Sequence, residues 1–323
     1  MRRLRDLFDP FLLLLISMVL LASFLPARGH GADILSVAAD AGIVLLFFLH
    51  GAKLSRDAIW NGAKAWKLHL ATLGTTFLVF PLIGLAMGHV DAIPLPMRAG
   101  LLFLTLLPST VQSSIAFTAI ARGNVAAAVV SASFSNLLGI MLTPLLVALL
   151  MDKGGGGGLV SLSSIEKIVL QLLLPFLLGH LSRPLIGSFV ARHRAMLGRV
   201  DRGSILLIVY SAFSAAVVEG LWQKVSQMEL ALLAALCAII LVAVLLFTWG
   251  LGRVLGLPRE DAVVLQFCGS KKSLATGVPI ASVLFPASLA GPILLPVMLF
   301  HQIQLMACAL IARHYSAKIA ASD

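Results

Sequence analysis

The sequence predicts an all-α, polytopic membrane protein of ten transmembrane helices. Three observations point there. The 323 residues are 59% hydrophobic and only 12% charged, whereas an ordinary soluble domain carries about 25% charged residues. The mean hydropathy is +1.02. Apolar runs such as 11–25, 230–251 and 293–311 approach or exceed the roughly 20 residues that cross a bilayer core.

Taken in order, the expected spans are 10–26, 34–51, 68–88, 98–121, 125–150, 165–182, 204–221, 229–251, 262–284 and 292–312,. The start, Met1-Arg2-Arg3-Leu4-Arg5 followed by an apolar run, also has the form of a signal peptide. Residues Ser23 to Arg28 offer no clean small-x-small cleavage site, so a retained first helix is expected. An even number of spans puts both termini on one side. With that side cytoplasmic, seventeen Lys and Arg residues lie inside and five outside, and Lys271 and Lys272 lie within a span. This asymmetry sets the orientation: both termini cytoplasmic.

The net charge of +10 therefore belongs to orienting loops, and the expected partner is a lipid bilayer rather than nucleic acid. Cys237, Cys268 and Cys308 sit singly in apolar runs, which predicts neither a disulfide framework nor a metal site. No His-Glu-x-x-His and no paired midplane carboxylates occur, so an intramembrane enzyme is not expected.

The run Gly154 to Gly158 falls after the fifth span, where a flexible linker (154–163) would join two halves, 1–153 and 164–323. Five spans per half start the halves on opposite sides of the membrane, so structural repeats here would be inverted. Pro94-Leu95-Pro96 before span four echoes Gly256-Leu257-Pro258 before span nine.

Spans four and nine carry the polar signals. Span four places Pro108, Ser109, Thr110, Gln112, Ser113 and Ser114 near its middle, where proline removes a backbone donor and frees carbonyls that need other partners. Span nine runs Gln266-Phe267-Cys268-Gly269-Ser270-Lys271-Lys272-Ser273. A charged side chain at a helix centre costs roughly 2.5–3.5 kcal/mol on insertion scales, so two adjacent lysines mark a site. Matching interruptions in inverted halves point to a midplane site where the two broken helices meet. Ser131 and Ser135 share a face of span five that could meet span four, though small hydroxyls also simply glue helices. Thr76 in span three could face the crossing, and His301, Gln302 and Gln304 in span ten could line a polar path.

The stretches Pro108 to Ser114, Ala121-Arg122-Gly123-Asn124-Val125-Ala126 and Leu142-Thr143-Pro144 resemble the fourth and fifth helices of bile acid:sodium symporters. Phe47-Phe48-Leu49-His50-Gly51, the span-nine run and Phe300-His301-Gln302-Ile303-Gln304 resemble a divergent clade of that family shared by bacteria and eukaryotes. The resemblance covers essentially the whole chain. It implies two inverted five-helix repeats, a core from spans 3–5 and 8–10, a panel from spans 1, 2, 6 and 7, and discontinuous helices four and nine that cross. It further implies a secondary transporter working by alternating access in the plasma membrane, the inner membrane of a bacterium. A regulatory or sensor protein on the same fold is the alternative, because likeness speaks to fold before activity.

Carried over residue by residue, the family's Ser-Asn pair falls on Ser113 and Ser114 and its helix-three glutamine on Thr76. The helix-five hydroxyls fall on Ala128 and Ala132, unless Ser131 and Ser135 serve. The acidic sodium contact falls on Gln266. Hard cations favour several oxygens with some negative charge, so the departure predicts sodium coupling that is weakened or replaced. The expected ion-binding set is Ser113, Ser114, Gln266, Ser270, Thr76, Ser131 and Ser135, for Na+ or H+ and no other cofactor. The expected substrate set is Lys271, Lys272, Ser113, Ser114, Gln112, His301 and Gln302, for a small or amphipathic organic anion. A lysine stripped of water there is also a candidate proton carrier.

Overall fold

The computed structural model describes residues 10–53, 65–87, 92–151 and 169–320. The N-terminal basic residues, the glycine-rich linker 154–163, Lys153 and Lys167 lie outside them. Among the described residues all regular secondary structure is helical, without strands. The helices are α1 (Pro10–Phe24), α2 (His30–Lys53), α3 (Trp66–Met87, with a π turn at Thr75–Val79), α4 (Leu95–Leu106), α5 (Gln112–Ile120), α6 (Val125–Leu150) and α7 (Val169–Arg192). There follow α8 (Arg194–Val218), the short α9 (Leu221–Lys224), α10 (Gln227–Val254), α11 (Arg259–Gly269), α12 (Leu274–Leu284) and α13 (Ala287–Ala320).

Among the described residues seven helices are long and apolar enough to cross a membrane, which makes this a multi-pass membrane protein. Of the ten expected spans, the other three correspond to the short α1 and to the two interrupted pairs, α4 with α5 and α11 with α12. Both interruptions fall where the polar clusters predict them. Leu107 leaves α4 in an extended conformation, and α11 ends at Gly269, four residues before α12.

One expected loop is absent. The expected spans 165–182 and 204–221 leave residues 183–203, with Arg183, Arg192, Arg194, Arg199 and Arg202, between membrane segments. The backbone nevertheless stays helical through Arg192 and resumes at Arg194. Hydropathy measures preference for lipid, whereas helix formation depends on backbone hydrogen bonds that arginine side chains do not disturb. The helices therefore extend beyond the apolar stretch with Arg192, Arg194, Arg199 and Arg202 exposed and Arg183 and Asp201 part-buried.

The helices pack in two groups. Helices α1, α2, α7 and α8 contact one another, while α3, α4, α5, α6, α10, α11, α12 and α13 form the other group; α8 touches α12 and α13 across the divide. The α2–α7 contact is unusually close. A Cβ on Gly51 would lie 2.0 Å from Phe176 O, and one on Gly179 2.0 Å from Phe48 O. Without a hydrophobic drive inside lipid, such small residues let backbones approach and gain dispersion contacts.

Candidate substrate site at the helix breaks

Breaking a helix away from water leaves backbone donors and acceptors that must be paired. Here the two breaks pair with each other. Ser273 N donates to Pro108 O at 2.8 Å, Ser109 Oγ to Cys268 O at 2.6 Å and Ser114 Oγ to Phe267 O at 3.1 Å. Helix α6 braces them. Asn136 Nδ2 donates to Ser109 O at 2.6 Å, its Oδ1 accepts from Thr276 Oγ1 at 2.8 Å, and Ser135 Oγ accepts from Ser109 N at 2.9 Å. Pro108 can sit this close because Gly139 faces it, where a Cβ would lie 2.5 Å from the proline ring.

The two lysines have different environments. Lys272 is 1% exposed, and its Nζ donates to Thr76 O, Thr105 O and Leu107 O at 2.8, 2.7 and 2.7 Å. An ammonium has three protons, so all three are used. Two of the acceptors sit at the C-terminal end of α4, where unpaired carbonyls carry the negative end of the helix dipole. The Lys272 backbone is clamped by Gln304, which accepts from its N–H and donates to its carbonyl, both at 2.9 Å. Lys271 is fully buried, and its Nζ has no hydrogen-bond partner among the described residues. It lies 4.1 Å from the Phe117 ring centroid and 5.6 Å from that of Phe267.

Beside the breaks is a cavity of about 610 Å³, within the range of small-molecule sites. Gln112, Ser113, Ser133, Asn136, Thr276 and His301 give it a polar side. Phe47, Phe176, Leu137, Ile140 and Ile205 give it an apolar one, and residues of α2 and α8 complete the wall. His301 Nδ1 faces Gln304 Nε2 at 2.9 Å. As the amide nitrogen can only donate, Nδ1 is the acceptor and Nε2 of the neutral ring carries the proton.

Among the expected substrate residues, Gln112, Ser113 and His301 line the cavity, whereas Lys271, Lys272, Ser114 and Gln302 do not. Lys272 is turned away by its three carbonyl partners, Lys271 by its aromatic contacts and Ser114 by Phe267 O. Gln302 is half-buried, with Oε1 lacking a hydrogen-bond partner among the described residues. The expected ion-binding residues spread over several places. Ser113 and Ser114 both reach Thr110 Oγ1, at 2.8 and 3.1 Å. Gln266 accepts from Tyr315 OH, and Ser270 Oγ donates to Gln266 O, both at 2.5 Å. Ser131 Oγ lies 2.7 Å from His69 Nδ1, Ser135 holds Ser109, and Thr76 donates to Thr72 O. Sequence reasoning placed Arg194, Asp201 and Arg202 in a loop and so missed them as cavity residues.

Residues 9–317 match the SBF-like CPA transporter family. The chain is 54% identical to the Pseudomonas aeruginosa protein PA2026, over 98% of this chain and 95% of the relative. It is 51% identical to an Escherichia coli protein named "Putative symporter YfeH", over 95% and 92%. To sodium/bile acid cotransporter 7 of Danio rerio it is 25% identical, over 82% and 80%.

Proposed function

Because the chain belongs to the SBF-like CPA transporter family, we propose that it is a secondary active transporter of a small or amphipathic organic anion, working by alternating access with sodium coupling weakened or replaced. The observation that carries this reading is the cavity of about 610 Å³ beside two mutually bonded helix breaks, polar on one side and apolar on another. A bilayer-spanning protein gains nothing from two buried interruptions unless their polar groups serve a ligand, an ion or a movement. The relative named for sodium and bile acid supports an amphipathic anion.

On this reading the ten apolar segments form two inverted repeats, 1–153 and 164–323. Helices α1, α2, α7 and α8 are the panel and the other group is the core. The two groups rock about the contact of α8 with α12 and α13. The basic-residue bias and the bacterial relatives support a bacterial inner membrane with both termini cytoplasmic.

Coupling follows from the lysines. The Lys272 ammonium meets three carbonyl oxygens, as a bound cation would, and it is tethered. Together with Gln266 in place of a carboxylate, this leaves little for sodium to do. Lys271, without a hydrogen-bond partner, is the residue able to gain and lose a proton without dismantling the crossing.

The test is thermal stabilisation of the purified protein by a panel of organic anions, with sodium or choline as counter-ion, followed by flux into liposomes. The expected result is saturable stabilisation and uptake of amphipathic anions in choline as well as in sodium. Stabilisation by none of the panel would overturn the anion reading, and a strict sodium requirement would overturn the coupling.

A further inference from the structure

The cavity needs positive charge to select an anion, and the buried lysines do not supply it at the wall. That charge comes from α2 and α8. Lys53, near the end of α2, and Arg194, Asp201 and Arg202, on the first two turns of α8 and just beyond, all line the cavity, as does His50. Lys53 Nζ forms an ion pair with Asp201 Oδ2, which cancels one cation. Arg194 and Arg202 remain without a carboxylate partner among the described residues. Among the described residues Asp201 is the sole carboxylate in the lining, and its Oδ1 is buried without a hydrogen-bond partner there.

We propose that Arg194 and Arg202 recognise the negative head of the substrate, with the Lys53–Asp201 pair fixing the approach of α2 to α8 that sets their positions. Resting on the organic-anion reading above, this assigns the head to the α2–α8 wall and the apolar body to the surface made by Phe47, Phe176, Leu137 and Ile140. The ligand class is an amphipath with a carboxylate, sulfonate or sulfate head. A planar guanidinium meets such a head with two parallel hydrogen bonds, a geometry that an ammonium does not reproduce. Arg202 is steadied by Phe11, whose ring centroid lies 5.8 Å from the guanidinium carbon,. Arg194 opens α8, so the positive end of that helix dipole adds to the same attraction. The amide of Gln112 and the hydroxyl of Ser113 are left to read polar substituents on the body. Charge recognition and coupling are thereby separated: the arginines belong to one helix group and the lysine pair to the other.

The experiment measures binding of cholate and of its uncharged methyl ester to the purified full-length protein by calorimetry. The wild type is expected to favour cholate over the ester by at least about tenfold. Arg194→Gln and Arg202→Gln are expected each to reduce that preference several-fold, and Arg202→Lys to keep more of it than Arg202→Gln. Lys224→Gln, which removes a charge outside the cavity, should leave it unchanged. Unfolding temperature without ligand checks that each variant is folded, and the lysine variant carries the comparison if a glutamine variant is not. A wild type that binds neither compound overturns the organic-anion reading and this assignment together. A wild type that prefers cholate, with arginine variants that do so equally, overturns only the assignment and leaves these residues as orienting charges.

Discussion

At the scale of single residues, two neighbouring lysines of the same burial have opposite relations to their surroundings. Replacing Lys272 by Met leaves Thr76, Thr105 and Leu107 with unpaired carbonyls in a dry interior. Removing one partner of a buried charged network destabilises by about 3–5 kcal/mol. Lys272→Met is therefore expected to lower the unfolding temperature sharply in choline, with partial recovery in sodium, because a free cation can occupy the vacated oxygens. Equal stability of variant and wild type in choline would contradict the tethered-cation role. Lys271→Met removes a buried amine that has ring contacts and no hydrogen bond among the described residues, so it leaves no buried polar partner unpaired. It is expected to preserve the unfolding temperature while abolishing the response of uptake to a pH gradient, and a retained response would remove Lys271 from coupling. The burial of Lys271 and Lys272 was legible in the sequence, since two charges inside an apolar span demand a reason. Their division of labour was not, because the partners of Lys272 are backbone carbonyls, which no side-chain pattern announces. Gln304, which clamps the Lys272 backbone, was visible only as one polar residue among three.

At the scale of elements, the breaks were the most readable feature. Pro108 and the run of hydroxyls around it, and Gly269 to Ser273, interrupt otherwise apolar segments, and the helices stop there. That the breaks bond to each other was foreseen as a meeting. The atoms that join them, such as Ser109 Oγ and Cys268 O, depend on tertiary register and left no trace in spacing. The extension of α7 and α8 across 183–203 has no apolar signature, because five arginines interrupt the hydropathy there. The pairing of Lys53 with Asp201, 148 positions apart, likewise has no local signature. The close α2–α7 packing makes its own prediction. Gly179→Ala places a methyl against Phe48 O, and forcing extra volume into tight packing costs typically 1–3 kcal/mol. Its unfolding temperature is expected to fall by several degrees. Gly187→Ala on the same helix, where the new Cβ meets only the Arg183 side chain, at 3.5 Å from Cγ and 4.0 Å from Nε, should change it little. Similar losses in both would show that the close approach is not what holds α2 to α7.

At the scale of the whole molecule, two helix groups enclose a cavity against a pair of broken helices, an architecture suited to the proposed anion transport. The C-terminal end of α2 and the N-terminal end of α8 both carry basic residues to the cavity, and on the proposed orientation that side faces the cytoplasm. The most direct measurement uses Ser133→Cys, a lining position on α6. The three native cysteines are all buried, so they contribute little background. Inside-out vesicles bearing the variant would be treated with a membrane-impermeant maleimide, with and without cholate. Rapid labelling that cholate slows in a saturable way is the predicted result. Labelling that fails altogether, or proceeds at the same rate at every cholate concentration, would contradict a substrate cavity open to the cytoplasm.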